Sequence, residues 1–264
     1  MITGVHHVGV VVRDLDAAYR FWREGLGLPL IREAEVPDQG VRAALLACGP
    51  CEIELLEPTV GDSGVARFLD RRGEGAHHVC FRSDDVGREV SRLAASGVEM
   101  IDRVPRPGLA GRIAFLHPRA TAGVLVELAT PVEGGPGPAS PLAVSAVELT
   151  VEGAERARPV YRDLLGLRES ETPLRLVAGG VAVELSPGPR PGVSALRLGA
   201  SDLDAVRDRL DVQGCAHLDA VGRLALDPAG THGVPLVIHR LDAGVLPLGP
   251  RGARSAGGPG HHRR

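Results

Sequence analysis

Two pairs of adjacent histidines and two glutamates on apolar strands could together hold a metal ion. The histidine pairs are His6-His7 and His77-His78, and the glutamates are Glu54 and Glu127. The second histidine of each pair precedes its glutamate by a similar distance, 47 residues in the first case and 49 in the second. A buried carboxylate is costly unless it is paired or bound to metal. If the two segments pack about a pseudo-twofold axis, all four groups can converge there.

Two imidazole nitrogens and two carboxylate oxygens suit a divalent first-row ion such as Co, Mn, Ni, Fe or Zn. Four protein ligands on an octahedral ion leave two positions for water or substrate, and such an ion is a Lewis acid that stabilises an enolate oxygen. Neighbours on a strand face opposite sides, so spacing alone leaves open which histidine of each pair points inward. The alternative interpretation is a set of ordinary core residues.

The elements that must position these groups repeat along the chain. After each histidine pair come an aspartate, a predicted helix and a glycine suited to a left-handed helix cap. These are Asp14, Leu15 to Glu24 and Gly27 in the first unit, and Asp85, Val86 to Ala95 and Gly97 in the second. Each unit then closes with the strand that carries its glutamate. Residues 1–131 are therefore predicted to form two units of one strand, one helix and about three strands.

The second half of the chain carries the same pattern more faintly. Glu184 aligns with Glu54, but the other three site positions hold Ala146, Ala195 and Val237. Residues 143–241 are therefore predicted to be a degenerate copy that binds no metal at that place. Such a copy could replace the second subunit of a homodimer, so we expect a monomer with pseudo-dimeric domains or a homodimer.

Two segments of biased composition flank this second copy. Residues 132–142 are rich in Pro and Gly and are predicted to be a linker. Residues 242–264 are rich in Gly, Pro and Arg and are predicted to be a disordered tail.

Composition excludes several classes of function. The 264 residues carry 30 basic and 33 acidic side chains, which gives no positive footprint for nucleic acid. No run of apolar residues is long enough for a membrane helix, and the apolar run at the N-terminus has neither the basic region nor the cleavage site that a signal peptide is expected to have. We therefore expect a cytoplasmic protein with reduced cysteines. Cys48-Gly49-Pro50-Cys51 has the spacing of a redox motif, but its position between alternating apolar runs predicts a hairpin turn.

Residues 1–131 resemble methylmalonyl-CoA epimerase, within the vicinal oxygen chelate (glyoxalase-like) superfamily. The motifs that carry the resemblance are HHVGV at 6–10, IELLEP at 53–58, GAHHVCF at 75–81, FLHP at 115–118 and GVLVEL at 123–128. The resemblance implies an α+β fold of tandem paired βαβββ units in two domains, with a cupped sheet around a divalent metal. It selects the second histidine of each pair, so the implied ligands are His7, Glu54, His78 and Glu127.

The implied activity is epimerisation of an acyl-CoA thioester such as methylmalonyl-CoA, which makes the protein an isomerase. A base removes the α-proton while the metal stabilises the enolate, and an acid returns a proton to the other face. By resemblance, Glu127 is both a ligand and a proton-transfer group. Some family members carry a second acid where Ala43 stands here. Glu52 is a candidate substitute, although its plainer interpretation is a solvated turn residue.

Other functions remain open at this stage. The alternatives are another superfamily activity, such as a glyoxalase I-like lyase or isomerase, and a binding protein that sequesters a small molecule. An extradiol dioxygenase is disfavoured, because that family keeps its working site in the C-terminal half. His117 is predicted to lie in a turn, with a place at the rim of the cup as the alternative.

Overall fold

The computed structural model describes residues 1–132, 137–220 and 222–241. Part of the predicted linker and the whole predicted tail, residues 242–264, lie outside the described residues. The described chain forms two eight-stranded sheets of the same topology. None of its helices is long and apolar enough to span a bilayer.

The first sheet pairs two units edge to edge. Its strands are β1 (Ile2–Val11), β2 (Leu30–Val36), β3 (Val41–Cys48), β4 (Cys51–Pro58), β5 (Gly75–Ser83), β6 (Arg106–Gly108), β7 (Gly111–Leu116) and β8 (Val126–Pro131). Their order is β2-β3-β4-β1-β5-β8-β7-β6. Within each unit the first and last strands are parallel, as β1 with β4 and β5 with β8, and the two units meet in the antiparallel pair β1–β5. The pseudo-twofold axis therefore passes between β1 and β5.

The second sheet repeats this arrangement. Its strands are β9 (Leu142–Val151), β10 (Arg168–Glu169), β11 (Arg175–Ala178), β12 (Val181–Pro187), β13 (Gly192–Ala200), β14 (His217–Ala220), β15 (Arg223–Leu226) and β16 (Leu236–Arg240). Their order is β10-β11-β12-β9-β13-β16-β15-β14. The predicted fold class, α+β with tandem paired βαβββ units in two domains, is confirmed.

Short helices connect the strands. The α-helices are α1 (Leu15–Tyr19), α2 (Gly64–Arg72), α3 (Val86–Ala95), α4 (Ala154–Pro159) and α5 (Leu203–Val212). One turn of π-helix follows α1 at Arg20–Gly25 and another follows α4 at Val160–Leu164, and 3-10 turns lie at Pro37–Gln39, Pro118–Thr121 and Pro228–Gly230.

Local signals explain where several of these helices begin and end. Asp14 and Asp85 accept hydrogen bonds from the third amide of α1 and α3, and so satisfy a backbone donor that the helix leaves free. Gly27 and Gly97 have φ of 74° and 77°, the left-handed region that favours glycine. The prediction for α3 is confirmed. The helix predicted from Leu15 is α-helical only to Tyr19 and then widens to a π-turn.

The first sheet buries both of its faces. One face packs on the helices in a core that is continuous through both halves of the chain. The other face is the inside of a cup, lined by two small apolar clusters. One comprises Val11, Val41, Ala43, Leu45, Leu56, Val65 and Leu109, and the other comprises Cys80, Ala110, Ile113, Phe115 and Ala129. Strand β4 shows how the two faces alternate along a strand. Ile53 and Leu55 pack in the core, whereas Leu56 faces the inside of the cup.

The two halves pack closely against each other. Gly4 and Gly179 meet backbone to backbone, and a Cβ on Gly179 would lie 2.7 Å from the Gly4 Cα. The Tyr161 hydroxyl donates to the Thr121 carbonyl at 3.2 Å. The Arg92 guanidinium donates to the carbonyl of Leu164 at 2.8 Å. Contacts of this kind join the halves into one body.

The Cys-Gly-Pro-Cys segment is a hairpin turn, as predicted. Cys48 and Cys51 are cross-strand partners at the ends of β3 and β4, with Gly49 and Pro50 between them. Burial raises the pKa of the Cys51 thiol to about 12, and it raises that of Cys48 as well. Neither thiol is activated for redox exchange.

Candidate metal centre

The structure brings the four predicted ligands to one point on the inside of the cup. His7 and His78 come from the central strands β1 and β5, Glu54 from β4 and Glu127 from β8. One nitrogen or oxygen atom from each lies within 4.8 Å of those of the other three. All four residues are buried, the most exposed being Glu54 at 6%.

The separations between these atoms are those of groups that share an ion. The Nε2 atoms of His7 and His78 are 3.1 Å apart. Oε2 of Glu54 lies 3.4 and 3.5 Å from these two nitrogens, and Oε2 of Glu127 lies 3.7 and 3.1 Å from them. Donors bound to one cation at about 2.1 Å stand roughly 3.0 to 3.4 Å apart when they are neighbours in its shell. The four residues therefore fit a divalent cation in both donor type and spacing.

A glycine makes room for this cluster. Gly9 is paired with Glu54 on one side and with His78 on the other. A Cβ on Gly9 would lie 2.1 Å from Cε1 of His78, so any larger residue would displace the imidazole. Sequence reasoning did not single out Gly9, although a glycine inside an apolar strand is a signal of close approach.

The outer histidine of each pair lies at a β-bulge. In the β1–β5 ladder, Val5 pairs with Phe81 and His7 with Cys80, so His6 is an extra residue. Further along the same ladder, Gly9 pairs with His78 and the next residue, Val10, pairs with Ala76. His77 is therefore an extra residue on β5. A bulge breaks strict alternation, and each outer ring therefore lies beside its inner neighbour.

The outer rings contact the inner rings through their Nδ1 atoms. His6 Nδ1 is 2.9 Å from His7 Nδ1, and His77 Nδ1 is 3.1 Å from His78 Nδ1. Burial lowers the pKa of both His6 and His77 to about 3, with the neighbouring histidines adding to the effect. The outer rings are therefore neutral.

The buried groups of the cluster shift the pKa values of Glu127 and His7 in opposite directions. Burial alone would raise the pKa of Glu127, but the adjacent imidazoles of His7 and His78 hold it well below its usual range. Burial opposes charge on His7 too, yet Cys80 and the carboxylates of Glu54 and Glu127 raise its pKa above the ordinary value. The cluster therefore favours positive charge at the point where the four atoms meet.

Glu52 lies in strand β4 and faces the cup, so its interpretation as a solvated turn residue is wrong. Its side chain is 19% exposed, and Oε2 lies 3.7 Å from Nδ1 of His6. Burial raises the pKa of its carboxyl, although nearby histidine and arginine charges act the other way. Glu52 is thus an acid next to the cluster.

Two other predicted positions contribute no acid or ligand to the cluster. Ala43 lies on the cup side of β3 opposite Leu56, and it is 1% exposed. His117 caps the 3-10 turn that follows β7, and its Nδ1 accepts from the Arg119 amide at 3.2 Å. The turn predicted at His117 is confirmed.

Two cavities approach the cluster from opposite ends of the cup. One, of about 640 Å³, lies beside α2 and is lined in part by His77, Phe68 and Phe115. The other, of about 560 Å³, lies where the two halves of the chain meet and is lined in part by His6 and Glu52. Each cavity is thus lined by one outer histidine, the direct neighbour of an inner histidine of the cluster.

The second half has lost this site. The β9–β13 ladder places Ala146 and Ala195 where the first half has His7 and His78, and Val237 stands at the position of Glu127. Glu184 remains, and the Arg197 guanidinium contacts it at 2.5 Å and Glu148 at 2.8 Å. An arginine therefore supplies the positive charge in this copy.

Comparison with known proteins agrees with the geometry of the first half. A model of the Glyoxalase/Bleomycin resistance protein/Dioxygenase superfamily matches residues 6–116. The uncharacterized protein YqjC of Bacillus subtilis is 39% identical over 126 residues, which cover 47% of this chain and 90% of that protein. The ethylmalonyl-CoA/methylmalonyl-CoA epimerase of Cereibacter sphaeroides is 34% identical over 131 residues, which cover 48% of this chain and 98% of that protein.

A comparison of structures extends to the second half. A variant of 4-hydroxymandelate synthase from Streptomyces coelicolor superposes with a TM-score of 0.70 over 91% of this chain and 93% of its own. The sequences are 16% identical, so this likeness shows the tandem fold alone. From these matches, the chain belongs to the glyoxalase/bleomycin resistance protein/dioxygenase (vicinal oxygen chelate) superfamily, and its first half is methylmalonyl-CoA epimerase-like.

Proposed function

We propose that this protein is a metal-dependent epimerase that acts on an acyl-CoA thioester such as methylmalonyl-CoA. The observation that carries the proposal is the convergence of His7, Glu54, His78 and Glu127 in residues 1–131. That segment aligns with nearly the full length of an ethylmalonyl-CoA/methylmalonyl-CoA epimerase.

The four residues would hold one divalent ion, with Co, Mn, Ni, Fe and Zn as the chemically suitable choices. When bound, this ion supplies positive charge that stabilises the negative charge developing on substrate oxygen as the α-proton leaves. The apolar side chains that line the cup would strengthen that effect, because a charge interacts more strongly in less polar surroundings.

Glu127 is the proposed base for one face of the substrate. It lies beside the positive charge of the inner histidines or, once loaded, of the cation, so it stays ionised and can accept a proton. A carboxylate has two oxygens, and contact through Oε2 leaves Oε1 to reach the α-carbon.

Glu52 is the proposed group for the other face. It lies on the same side of β4 as Glu54, and its raised pKa makes the protonated form more available than for an exposed glutamate. No acid stands at position 43, where some relatives would place one.

The missing acid at Ala43 also favours a second candidate function. A glyoxalase I-like lyase or isomerase would use the same four ligands and could move its proton on one side of the substrate. A protein that only sequesters a small molecule is the third possibility.

We assign the second half, residues 143–241, a supporting role. Its contacts with the first half, such as that of Gly179 with Gly4, suit a copy that takes the place of a partner subunit. The chain would then act as a monomer with pseudo-dimeric domains, and the cytoplasm is the compartment we expect.

The test is isotope exchange at the α-carbon. The protein is stripped with chelator, reloaded with Co or Mn, and incubated with methylmalonyl-CoA in deuterated water. Metal-dependent uptake of deuterium is the expected result. Turnover only of a glutathione hemithioacetal would identify the lyase instead, and turnover of neither substrate would favour sequestration.

A further inference from the structure

We propose that His6 and His77 are positioning residues for the metal centre. Each would accept a hydrogen bond from the inner histidine that follows it, and so hold that imidazole in the tautomer and orientation a cation needs. This inference rests on the proposed metal site, but it requires no particular substrate.

The hydrogen-bond assignment follows from which nitrogen faces the cluster. His7 directs Nε2 towards the two carboxylates and towards His78. An imidazole that binds a cation through Nε2 carries its proton on Nδ1, and that proton needs an acceptor. Nδ1 of His6 lies 2.9 Å from His7 Nδ1, a hydrogen-bond distance, so we assign it as the acceptor.

The second unit repeats this arrangement. His78 directs Nε2 to Glu127 at 3.1 Å, and its Nδ1 lies 3.1 Å from Nδ1 of His77. The outer rings would both be neutral, with their own proton on Nε2. The pseudo-twofold axis therefore relates the ligand His7 to His78, and the acceptor His6 to His77.

The degenerate half of the chain shows that the bulges themselves need no histidine. Both bulges persist there, and the extra residues are Ser145 and Ser194. Their hydroxyls donate to backbone carbonyls, Ser145 to Arg197 at 3.0 Å and Ser194 to Glu148 at 3.1 Å. In the second half, serine stands at the bulge positions and alanine at the inner positions. In the first half, both kinds of position hold histidine.

Each outer ring is also held from its far side. The His77 ring meets the Phe68 ring of α2 edge to face, with centroids 4.8 Å apart. His6 is 2% exposed and lies near the Glu52 carboxylate. A ring fixed on two sides can orient its neighbour, because it loses little freedom when the hydrogen bond forms.

The test compares Co²⁺ binding by the full chain and its variants. His6→Ala and His77→Ala remove the acceptor, whereas His6→Asn and His77→Asn retain an oxygen at about the place of Nδ1. His117→Ala is the matched control, since that ring lies in a turn outside the cluster. Affinity is measured by competition with a chromophoric chelator, and the absorption spectrum of bound Co²⁺ reports its coordination.

Each alanine variant is expected to bind Co²⁺ about 10- to 100-fold more weakly, as loss of a partner to a metal-binding histidine does. The asparagine variants should recover most of this loss, and His117→Ala should bind like the wild type. In the Zn²⁺-loaded wild type, long-range ¹H–¹⁵N spectra should show the proton of His7 and His78 on Nδ1.

Three results would overturn the proposal. The first is that the alanine variants bind Co²⁺ as the wild type does. The second is that alanine and asparagine variants lose affinity equally and unfold at equally lowered temperature without metal, which indicates a structural role. The third is binding of two ions per chain with loss of one in His6→Ala. His6, His7 and buried Cys80 would then form a second site. Absence of epimerase activity would not affect these outcomes.

Discussion

The imidazole of His78 lies in the space that a side chain at position 9 would occupy. The two residues face each other in the β1–β5 ladder, and a Cβ on Gly9 would stand 2.1 Å from the ring. A strand glycine is thus as much a part of the proposed centre as the groups that would bind the ion.

Gly9→Ala should therefore displace His78 and weaken metal binding. We expect a loss of at least about tenfold in Co²⁺ affinity, and a loss of about 1 to 3 kcal/mol in unfolding free energy from overpacking. Gly64→Ala is the control, because a Cβ there meets no atom within 4 Å. Unchanged Co²⁺ binding by Gly9→Ala would contradict the placement of His78.

The two glutamates of the cluster should respond differently to replacement by glutamine. Glu54→Gln keeps an oxygen donor, so it should weaken metal binding but recover most turnover once metal is saturating. Glu127→Gln also removes the proposed base, and should leave turnover about 100-fold or more lower even at saturating metal. The measurement is the rate at which one epimer of methylmalonyl-CoA is converted into the other, against metal concentration. Equal recovery by both variants would show that Glu127 is only a ligand.

Glu52→Gln should slow turnover without weakening metal binding. The amide preserves the shape of the side chain but cannot exchange a proton, so we expect a loss of about 100-fold in the rate of epimerisation, although Glu127 can still exchange the α-proton of one epimer. Glu35→Gln on the exposed face of β2 is the control and should be neutral. Full activity in Glu52→Gln would remove Glu52 from the mechanism.

Metal affinity should increase with pH. A proton and a cation compete for Nε2 of His7, whose pKa in the ion-free cluster is raised above 6.5, while Glu127 stays ionised because its pKa is lowered. For one displaced proton, the apparent Kd should fall roughly tenfold per pH unit until the raised pKa of His7 is passed, and then level off. Titrations with Co²⁺ at several pH values would show this, and a pH-independent Kd would contradict it.

Arg197→Met should affect the stability of the second half but not metal binding. It leaves Glu148 without its guanidinium partner, and Glu184 with only that of Arg175 at 3.7 Å. The Arg197 side chain is 37% exposed, so solvent screening limits the expected loss to about 1 kcal/mol. Arg88→Met, at a side chain 78% exposed, should cost less. A change in the number of ions bound per chain would place a metal in the second half.

Repetition made much of this structure predictable from sequence. The paired units, the bounds of α3 and the hairpin at Gly49-Pro50 rest on signals within a short segment, such as Asp85 at the start of α3. The four site residues could be singled out from the sequence because the two copies carry them at matching positions. Helix α2 was missed, although Ser63 and Gly73 cap it, because it lies in the connection between units.

Contacts that depend on the register between two strands could not be predicted from the sequence. Alternation along one strand places His6 opposite in direction to His7, whereas the bulge in the ladder with β5 puts the two rings in contact. Likewise Arg197 is an ordinary strand residue in sequence, and only the register of β13 with β9 brings it to Glu148. Such features depend on two strands at once.

The central claim is that four side chains from two tandem units bind one ion. Anomalous diffraction from crystals grown with Co²⁺ tests it most directly. We predict one strong peak per chain in the first half, at bonding distance of about 2.1 Å from Nε2 of His7 and His78 and from carboxylate oxygens of Glu54 and Glu127. A Co²⁺ peak elsewhere, or no peak within the cup at saturating Co²⁺, would contradict the account.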